Sequence, residues 1–327
     1  MTVGVDLRIF QIGHQYRGIG AHIKSLFAEF AKMDDLPEFV FFEHPNVDSG
    51  IDVIKPYLKN ISYTIRHTND RLIGETYTQR EWASFKQRNI DGDAGLKDLS
   101  GIDILLSIDF NLGVPKPSKV KTLLISYDMI PWVLSEYYLP NFLQTYKKTK
   151  SLKRAIKAQL DKRLYFSKFK QANKRAARIT AISEHTKQDI VQYAKIDASK
   201  IVPILLGVND TKPQKKTSPT TKITAYDQSG TSTIFDSAKT PYVFFMGGAD
   251  RRRRIEDLVS AFEIVKKDIP KLKLILGGYD FQKHDTIPDE TTRTKIQKSP
   301  YVQDILCAGF VSEAEKNALF AQAIAYV

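Results

Sequence analysis

Cysteine, tryptophan and histidine are all scarce in this chain of 327 residues, which contains 1 Cys, 2 Trp and 6 His. A single cysteine, Cys307, cannot form an internal disulfide, so apolar burial has to stabilise the fold and a reducing compartment is expected. The sequence also lacks a His-Glu-x-x-His pattern and any cysteine cluster, which are the common patterns of zinc sites. We therefore expect neither a metal nor a cofactor.

Long apolar segments are missing as well. No run approaches the ~20 residues that a membrane span requires. The first ten residues, MTVGVDLRIF, lack the basic stretch and apolar core of a secretory signal. These features predict a soluble protein, in the cytoplasm or at the inner face of the cytoplasmic membrane. At about 150 residues per domain, the length predicts two domains.

Acidic residues are nearly absent from segment 147–178, which contains thirteen lysines and arginines and a single acid, Asp161. The whole chain has a formal net charge of +12. Such a block attracts phosphates, whether in nucleic acid, in anionic lipid or in a lipid-diphosphate substrate. A helix with a basic, solvated face remains an equal alternative.

Apolar segments of strand length alternate with helix-length segments through most of the chain. Because such strands are continuously apolar, the alternation predicts doubly wound parallel α/β sheets. The segment rich in Thr, Ser and Lys at 209–240 interrupts the alternation and is predicted to be a linker or insertion. The predicted domains are 1–208 and 241–327. The predicted strands are 3–9, 39–43, 61–65, 102–108, 122–126, 179–182, 201–205, 242–246, 272–276, 304–307 and 324–327.

The segment YVFFMGGADRRRRIEDL, residues 242–258, combines a predicted strand, a glycine turn, four arginines and a helix start. Glycines allow a ligand to approach the backbone closely, and a helix N-terminus favours anions. Arg251 to Arg254 add four positive charges. The pattern predicts a site for a diphosphate, and a solvated basic turn is the alternative.

Two turns in the first half have weaker signals. Arg17-Gly18-Ile19-Gly20 precedes a helix, and its glycines permit close approach of the backbone to a substrate. Tyr127-Asp128 follows a predicted buried strand and precedes a proline-containing turn. A purely structural turn at the glycines, and a capping role for Asp128, are equally good interpretations.

Five segments in this order resemble the family 4 glycosyltransferases of the GT-B fold: Asp6-Leu7-Arg8 with the Arg-Gly-Ile-Gly loop, Tyr-Asp-Met-Ile-Pro, Ser-Glu-His-Thr before Gly-Val-Asn, Gly-Gly-Ala-Asp-Arg-Arg-Arg, and Gly-Phe-Val-Ser. The resemblance implies two facing Rossmann-like domains. It implies transfer of a hexose, with retention, from a nucleotide-diphosphate sugar to a polysaccharide or lipid-linked oligosaccharide. A role in making the cell envelope is expected.

The resemblance also assigns roles to individual positions. The positions that it implies for donor binding are Gly18, Gly20, Gly247, Gly248, Arg252, Arg253, Gly309, Phe310 and Val311. Arg252 and Arg253 would hold the diphosphate, with Arg253 standing where the family has lysine. Tyr127 and Asp128 are the implied catalytic residues, and Tyr127 replaces the histidine that many members have.

The sequence departs from the family at its end. The family continues with a loop carrying two glutamates that contact the donor sugar and ribose, whereas this sequence ends at Val327, within the preceding strand. We therefore expect a fragment or a degenerate member with an incomplete second domain. On this expectation, residues 1–327 alone are aggregation-prone and transfer no sugar.

Two other functions compete with sugar transfer. One is a non-catalytic partner or anion-binding protein of the same fold. The other is a nucleic-acid-binding protein, suggested by the charge. We rank it last, because no RRM, KH or helix-turn-helix pattern is present and the aromatics of segment 147–178 are limited to Tyr165, Phe166 and Phe169.

Overall fold

The computed structural model describes residues 1–45, 47–68, 96, 98–116, 119–207 and 222–327. The chain divides into two compact units, Met1–Asn209 and Asp210–Val327.

The first unit is built on a seven-stranded parallel sheet with the order β3-β2-β1-β4-β5-β6-β7. Its strand order changes direction between β1 and β4, and in such sheets ligands bind at the carboxyl ends of the strands next to that point. The strands are β1 Thr2–Asp6, β2 Glu38–Glu43, β3 Tyr63–His67, β4 Ile104–Ser107, β5 Lys121–Ser126, β6 Arg178–Ala181 and β7 Ile201–Pro203.

Helices cover this sheet and bury its apolar side chains. Ile23 and Phe27 of the first helix pack with Val5 and Phe41 of the strands, while Phe169 packs in a second cluster of the unit. The described helices are α1 Gly18–Phe30, α2 Gly50–Ile54, α3 Ile130–Val133, α4 Ser135–Tyr138, α5 Phe142–Thr149, α6 Leu152–Arg175 and α7 Glu184–Asp189, which continues into a π-helical turn, Ile190–Ala194. Short 3-10 segments are Leu7–Gln11, Gly13–Tyr16, Lys55–Tyr57, Phe110–Leu112 and Ala198–Lys200.

The second unit has a six-stranded sheet with the order β13-β10-β11-β12-β8-β9. Its first four strands are parallel, and β8 and β9 are antiparallel to their neighbours. The strands are β8 Lys222–Tyr226, β9 Ser232–Asp236, β10 Tyr242–Met246, β11 Lys273–Gly277, β12 Ile305–Gly309 and β13 Ala325–Tyr326. The helices are α8 Ile255–Asp268, α9 Glu290–Gln297 and α10 Glu313–Gln322, with 3-10 segments at Arg251–Arg253, His284–Thr286 and Val302–Asp304.

The predicted linker at 209–240 is wrong for much of its length. Within it, β8 and β9 form an antiparallel hairpin, and β8 pairs with β12 at Tyr226 and Cys307. Ile223 and Ala225 are buried while Lys222 and Thr224 are exposed, which is the alternation of a half-buried strand. Exposed polar residues on one face gave the segment its linker-like composition. The part of the predicted linker at 209–221 lies outside the described residues.

The predicted α/β fold class is confirmed. One strand differs from its prediction: β1 ends at Asp6 and is shorter than the strand predicted at 3–9, because a buried ion pair forms at its end. Arg8 donates from Nε to Asp6 Oδ1 (2.9 Å) and from Nη2 to Asp6 Oδ2 (2.6 Å), and both side chains are at most 5% exposed. Nη2 also donates to the Leu112 carbonyl (3.4 Å). The pair therefore connects the loop after β1 with the loop after β4.

Replacing Arg8 with Ala should destabilise the first unit, because it leaves the Asp6 carboxylate buried without its guanidinium partner. Removal of one partner of a buried pair costs about 3–5 kcal/mol. Urea unfolding measures this loss. Lys32→Ala is the matched control, because the Lys32–Glu29 pair is 69% and 65% exposed and such pairs contribute at most about 1 kcal/mol. Equal, small losses in both variants would contradict this account of the ion pair.

Candidate functional site

Glycines line the carboxyl ends of three neighbouring strands in the second unit. Gly247-Gly248 follows β10, Gly277 ends β11 and is followed by Gly278, and Gly309 ends β12. Backbone hydrogen bonds hold these ends together: Gly247 N–H donates to the Gly277 carbonyl (2.9 Å), and Gly278 N–H donates to the Gly309 carbonyl (2.7 Å). The edge thus presents backbone rather than side chains to a ligand.

Gly278 is the most constrained of these glycines. Its φ is +129°, a conformation that residues with a side chain rarely adopt. A Cβ at this position would overlap the carbonyl oxygen of Gly247 and lie 2.9 Å from its carbonyl carbon. Gly309 also has a positive φ, +61°. The close approach of the β10 and β11 ends therefore requires glycine at 278.

Arg253 lies directly over this edge. A Cβ at Gly247 would overlap Nη1 of Arg253 and lie 2.9 Å from its Cζ. The same Cζ is 6.0 Å from the centre of the Phe245 ring. The absence of a side chain at Gly247 therefore leaves room for the guanidinium at the end of β10, where its charge is accessible because Arg253 is exposed.

Two other arginines of the run contact neighbouring carboxylates. Arg252 Nε is 3.4 Å from Asp250 Oδ2, and Arg254 Nη2 is 2.6 Å from Asp257 Oδ2. Arg254 also has a φ of +52°. The prediction paired Arg252 with Arg253 on a diphosphate. The structure brings Arg253 onto the glycine edge and ties Arg252 to an acid.

Asp280 fixes the turn that follows Gly248. Its Oδ2 accepts a hydrogen bond from the Ala249 N–H (2.9 Å) and would lie 2.8 Å from a Cβ at Gly248. Because the Ala249 N–H is already bonded, it is not offered to an anion. An anionic ligand at this edge would meet the guanidinium of Arg253 instead.

Aromatic rings stand beside two of the glycines. Tyr279 follows Gly278 and is 71% exposed, and Phe310 follows Gly309 and is 62% exposed. The side chain of Val311, by contrast, is buried, so only its backbone can meet a ligand. The sequence analysis missed Gly277, Gly278, Tyr279 and Asp280, although Gly-Gly-Tyr-Asp follows a predicted strand much as Gly247-Gly248 does.

In the first unit, the two predicted loop glycines differ. A Cβ at Gly20 would lie 2.6 Å from the Gln15 carbonyl oxygen and 2.8 Å from that of His14, so this glycine serves the packing of its own loop. A Cβ at Gly18, where α1 begins, would meet nothing within 4 Å. Gly18 therefore leaves space for a ligand, whereas the packing of the loop itself requires glycine at position 20.

Tyr127 and Asp128 follow β5. Tyr127 Oη lies 3.0 Å from Nδ1 of His22, and burial raises the pKa of the Tyr127 hydroxyl and lowers the pKa of His22. Asp128 is exposed, and its Oδ1 accepts a hydrogen bond from the Ile130 N–H (2.9 Å). The capping role weighed for Asp128 is present, and its catalytic role stays a prediction.

A cluster of ionisable groups that the sequence analysis missed surrounds Asp109, just after β4. Asp109 is 6% exposed and accepts hydrogen bonds from Asn111. Burial raises the pKa of Asp109, while Asn111, His14 and Lys168 oppose that rise. Burial also lowers the pKa of Lys168 to about 8, against the attraction of Asp109.

His14 completes this cluster from the loop after β1. Burial lowers the pKa of His14, with Asp109 opposing and Arg17 adding to the change. Its Nδ1 is buried without a hydrogen-bond partner among the described residues. Tyr165 of α6 lies in the same surroundings, since burial and the charges of Asp128 and Asp109 raise its pKa. A carboxyl, an imidazole and an amine with shifted pKa values are typical of functional sites.

The signal for part of this cluster was in the sequence. Asp109 follows the strand predicted at 102–108, and the argument that selected Asp128 applies to it equally. Lys168 could not be singled out, because it is one of thirteen cations in segment 147–178. Only its burial in the folded unit separates it from the others.

Solved structures share this architecture at very low sequence identity. S. aureus TarM, solved with Fondaparinux, alpha-GlcNAc-glycerol and UDP, matches with a TM-score of 0.52 and 9% identity over 95% of this chain and 77% of that chain. A second structure of TarM has a TM-score of 0.51 at 8% identity, covering 96% of this chain and 78% of that one. The N-terminal domain of Candida albicans trehalose-6-phosphate phosphatase has a TM-score of 0.50 at 10% identity, covering 98% and 75%.

The chain has the GT-B fold. Its two α/β units correspond to the two Rossmann-like domains of that fold, as the resemblance implied. No protein-family model and no curated protein sequence matches the chain. Among the described residues, no helix is both long and apolar enough to cross a membrane.

The cluster yields a pH prediction. The Asp109 carboxylate favours protonated Lys168, so Asp109→Asn should lower the pKa of Lys168 further below its value of about 8. NMR titration of the lysine Cε resonances measures this shift, with the Lys168 signal identified by its loss in Lys168→Met. Asp161→Asn is the control, since Asp161 lies on the same helix but pairs with Lys157 (3.2 Å). No shift in Asp109→Asn, or an equal one in the control, would break the proposed coupling.

Proposed function

We propose that this protein is a glycosyltransferase that takes a hexose from a nucleotide-diphosphate sugar. We further propose that it passes the hexose, with retention, to a polysaccharide or lipid-linked oligosaccharide acceptor of the cell envelope. The observation that carries the proposal is Arg253 lying over the glycine-lined edge of β10, β11 and β12. Family 4 membership and retention rest on the resemblance of the motifs.

The chemistry of the donor explains why a fixed cation is useful there. When the bond from the sugar to the diphosphate breaks, negative charge develops on the leaving phosphate. A positioned guanidinium stabilises that charge, which is worth more in the transition state than in the bound donor. Glycine at 247 leaves room for this guanidinium at the end of β10. Among the described residues, no carboxylate lies within ion-pair distance of Arg253, whereas Asp250 contacts Arg252.

The nucleotide is assigned to the same edge. The family resemblance gives Gly309, Phe310 and Val311 to the nucleobase, and the exposed Tyr279 ring lies on the neighbouring loop. Aromatic faces suit a planar base. That S. aureus TarM was solved with UDP supports a nucleoside diphosphate as the ligand.

We assign the acceptor to the carboxyl edge of the first sheet. Gly18 leaves open space there. The cluster of Asp109, His14 and Lys168 offers titratable groups whose pKa values are shifted by burial. Tyr127 and Asp128 adjoin this edge, and an acceptor hydroxyl has to lose its proton as the new glycosidic bond forms. Titratable side chains are suited to accepting the proton that the acceptor hydroxyl loses.

A second candidate function is nucleotide binding without transfer. It is favoured by the hydrogen bond that Asp128 Oδ1 accepts from the Ile130 N–H, because this bond gives the implied catalytic carboxylate a structural role as a cap of the following turn. Incubation with UDP-, GDP- and dTDP-sugars and a lipid-linked or oligosaccharide acceptor separates the two functions. Product with the retained anomeric configuration supports the proposed transferase and contradicts the expectation that residues 1–327 alone transfer no sugar. Product with the inverted configuration overturns family 4, and binding without product supports the second function for residues 1–327.

Arg253→Ala tests the donor site. It should weaken binding of the nucleoside diphosphate measured by calorimetry and, where transfer is observed, lower kcat/KM by roughly 10²–10³, as expected for one preorganised charge-stabilising group. Arg254→Ala is the matched control, because it removes the same charge from a side chain tied to Asp257. Unchanged binding in Arg253→Ala, or an equal loss in both variants, would remove Arg253 from the site.

A further inference from the structure

The α5–α6 hairpin, defined here as residues 142–160, is only thinly packed on the first unit. Helix α5, all of which the structure describes, contains no buried residue. In the described first half of α6, residues 152–164, Ala155 is the one buried residue. The second half of α6 is different, because Phe169, Ala172 and Asn173 are buried there. The hairpin is therefore an exposed extension of a helix anchored in the core.

Large apolar side chains on this hairpin face solvent. Leu143 is 64% exposed and Tyr146 42% on α5, and on α6 Leu152 is 59%, Ile156 48% and Leu160 42% exposed. The three residues of α6 are spaced by four, so they form one stripe along the helix. Single exposed apolar residues are ordinary, but a stripe of aliphatic side chains indicates a binding surface.

The charge of the hairpin is of one sign. Residues 142–160 contain six lysines and arginines and no acid: Lys147, Lys148, Lys150, Lys153, Arg154 and Lys157. All six are exposed. The nearest acid along α6, Asp161, pairs with Lys157 at 3.2 Å. This charge is complementary to an anionic surface.

We propose that the hairpin docks the protein on an anionic membrane surface, with the aliphatic stripe entering the interface and the cations contacting lipid phosphates. Helices with exposed aliphatic residues and a lysine-rich polar face lie in membrane interfaces, bound by both contributions. A binding site for nucleic acid would present aromatic rings that stack on the bases, or side chains that read the base edges. The stripe on α6 consists of leucine and isoleucine and contains no ring. An anionic membrane fits both this stripe and the cations.

The position of the hairpin connects the membrane to the first unit's ionisable cluster. Leu160 of the stripe and Lys168 of the cluster are on the same helix, eight residues or about 12 Å apart along its axis. Docking would place that edge close to a membrane-borne acceptor. This connection rests on the proposed function, whereas docking itself does not.

Flotation of the protein with vesicles tests the proposal. The probes are vesicles of phosphatidylcholine alone and of equal parts phosphatidylcholine and phosphatidylglycerol, each at low and physiological salt. We expect binding to the anionic vesicles only, decreasing as salt rises. Because each cation near such a surface contributes about fivefold, the triple variant Lys147→Gln/Lys153→Gln/Arg154→Gln should bind roughly one hundredfold more weakly.

The apolar contribution is tested separately. Leu152→Ser/Ile156→Ser should weaken binding at both salt concentrations, and circular dichroism should show an intact fold because both residues are exposed. The controls are Ile234→Ser/Ile264→Ser, at residues 69% and 65% exposed, and Lys267→Gln/Lys271→Gln/Lys298→Gln, at exposed lysines of the second unit.

Both control variants should bind like the original protein. Equal losses in the controls would show that net charge or general apolarity, and not the hairpin, governs binding. Equal binding to neutral vesicles, or binding to RNA but not to anionic vesicles at physiological salt, would overturn the proposal. Vesicle binding does not require sugar transfer, so this result is independent of the proposed function.

Discussion

The contact on which the second unit's candidate site depends is that between the Gly247 carbonyl and Gly278. The two strand ends approach so closely that a Cβ at 278 would overlap the Gly247 oxygen. Because of this approach, Gly278 can also donate to the Gly309 carbonyl at 2.7 Å, which ties a third strand end to the first two. The resulting edge has little side-chain cover, and Arg253 reaches over it. Any larger residue at 278 would part the strands and displace the guanidinium from the edge.

The two units present different chemistry at their carboxyl edges. In the second unit the edge presents backbone, the overlying guanidinium of Arg253 and the Asp280 carboxylate that holds the turn after Gly248. The guanidinium suits a phosphate that has to be bound and stabilised. In the first unit the edge carries titratable side chains, the buried Asp109 and the partly buried His14 and Lys168, which are able to take up or release a proton. In sugar transfer the diphosphate of the donor gains negative charge, whereas the hydroxyl of the acceptor loses a proton. The proposed assignment of the donor to the second unit and of the acceptor to the first rests on this difference.

The sequence alone predicted those features that depend on a local pattern of residues. The apolar strands, the turn at Gly247-Gly248 and the basic segment were all predicted, because each depends on neighbouring residues. It failed where tertiary packing decides. For Gly20 the sequence left a ligand-facing role and a structural turn as equal interpretations, and only the fold shows that a Cβ there would lie against His14 and Gln15. The segment around Ile223 was predicted as a linker and instead extends a sheet. Lys168 differs from its neighbouring lysines only through burial, which no local pattern shows.

Hydrogen exchange of the protein with and without UDP, GDP or dTDP tests the central claim most directly, because a ligand protects the backbone that it contacts or orders. With the nucleotide that binds, we predict slower exchange at residues 247–254, 277–281 and 309–311. Exchange in the α5–α6 hairpin should be unchanged. Protection confined to the hairpin or to the first unit, with none at these three turns, would contradict the assignment of the nucleoside diphosphate to the glycine edge.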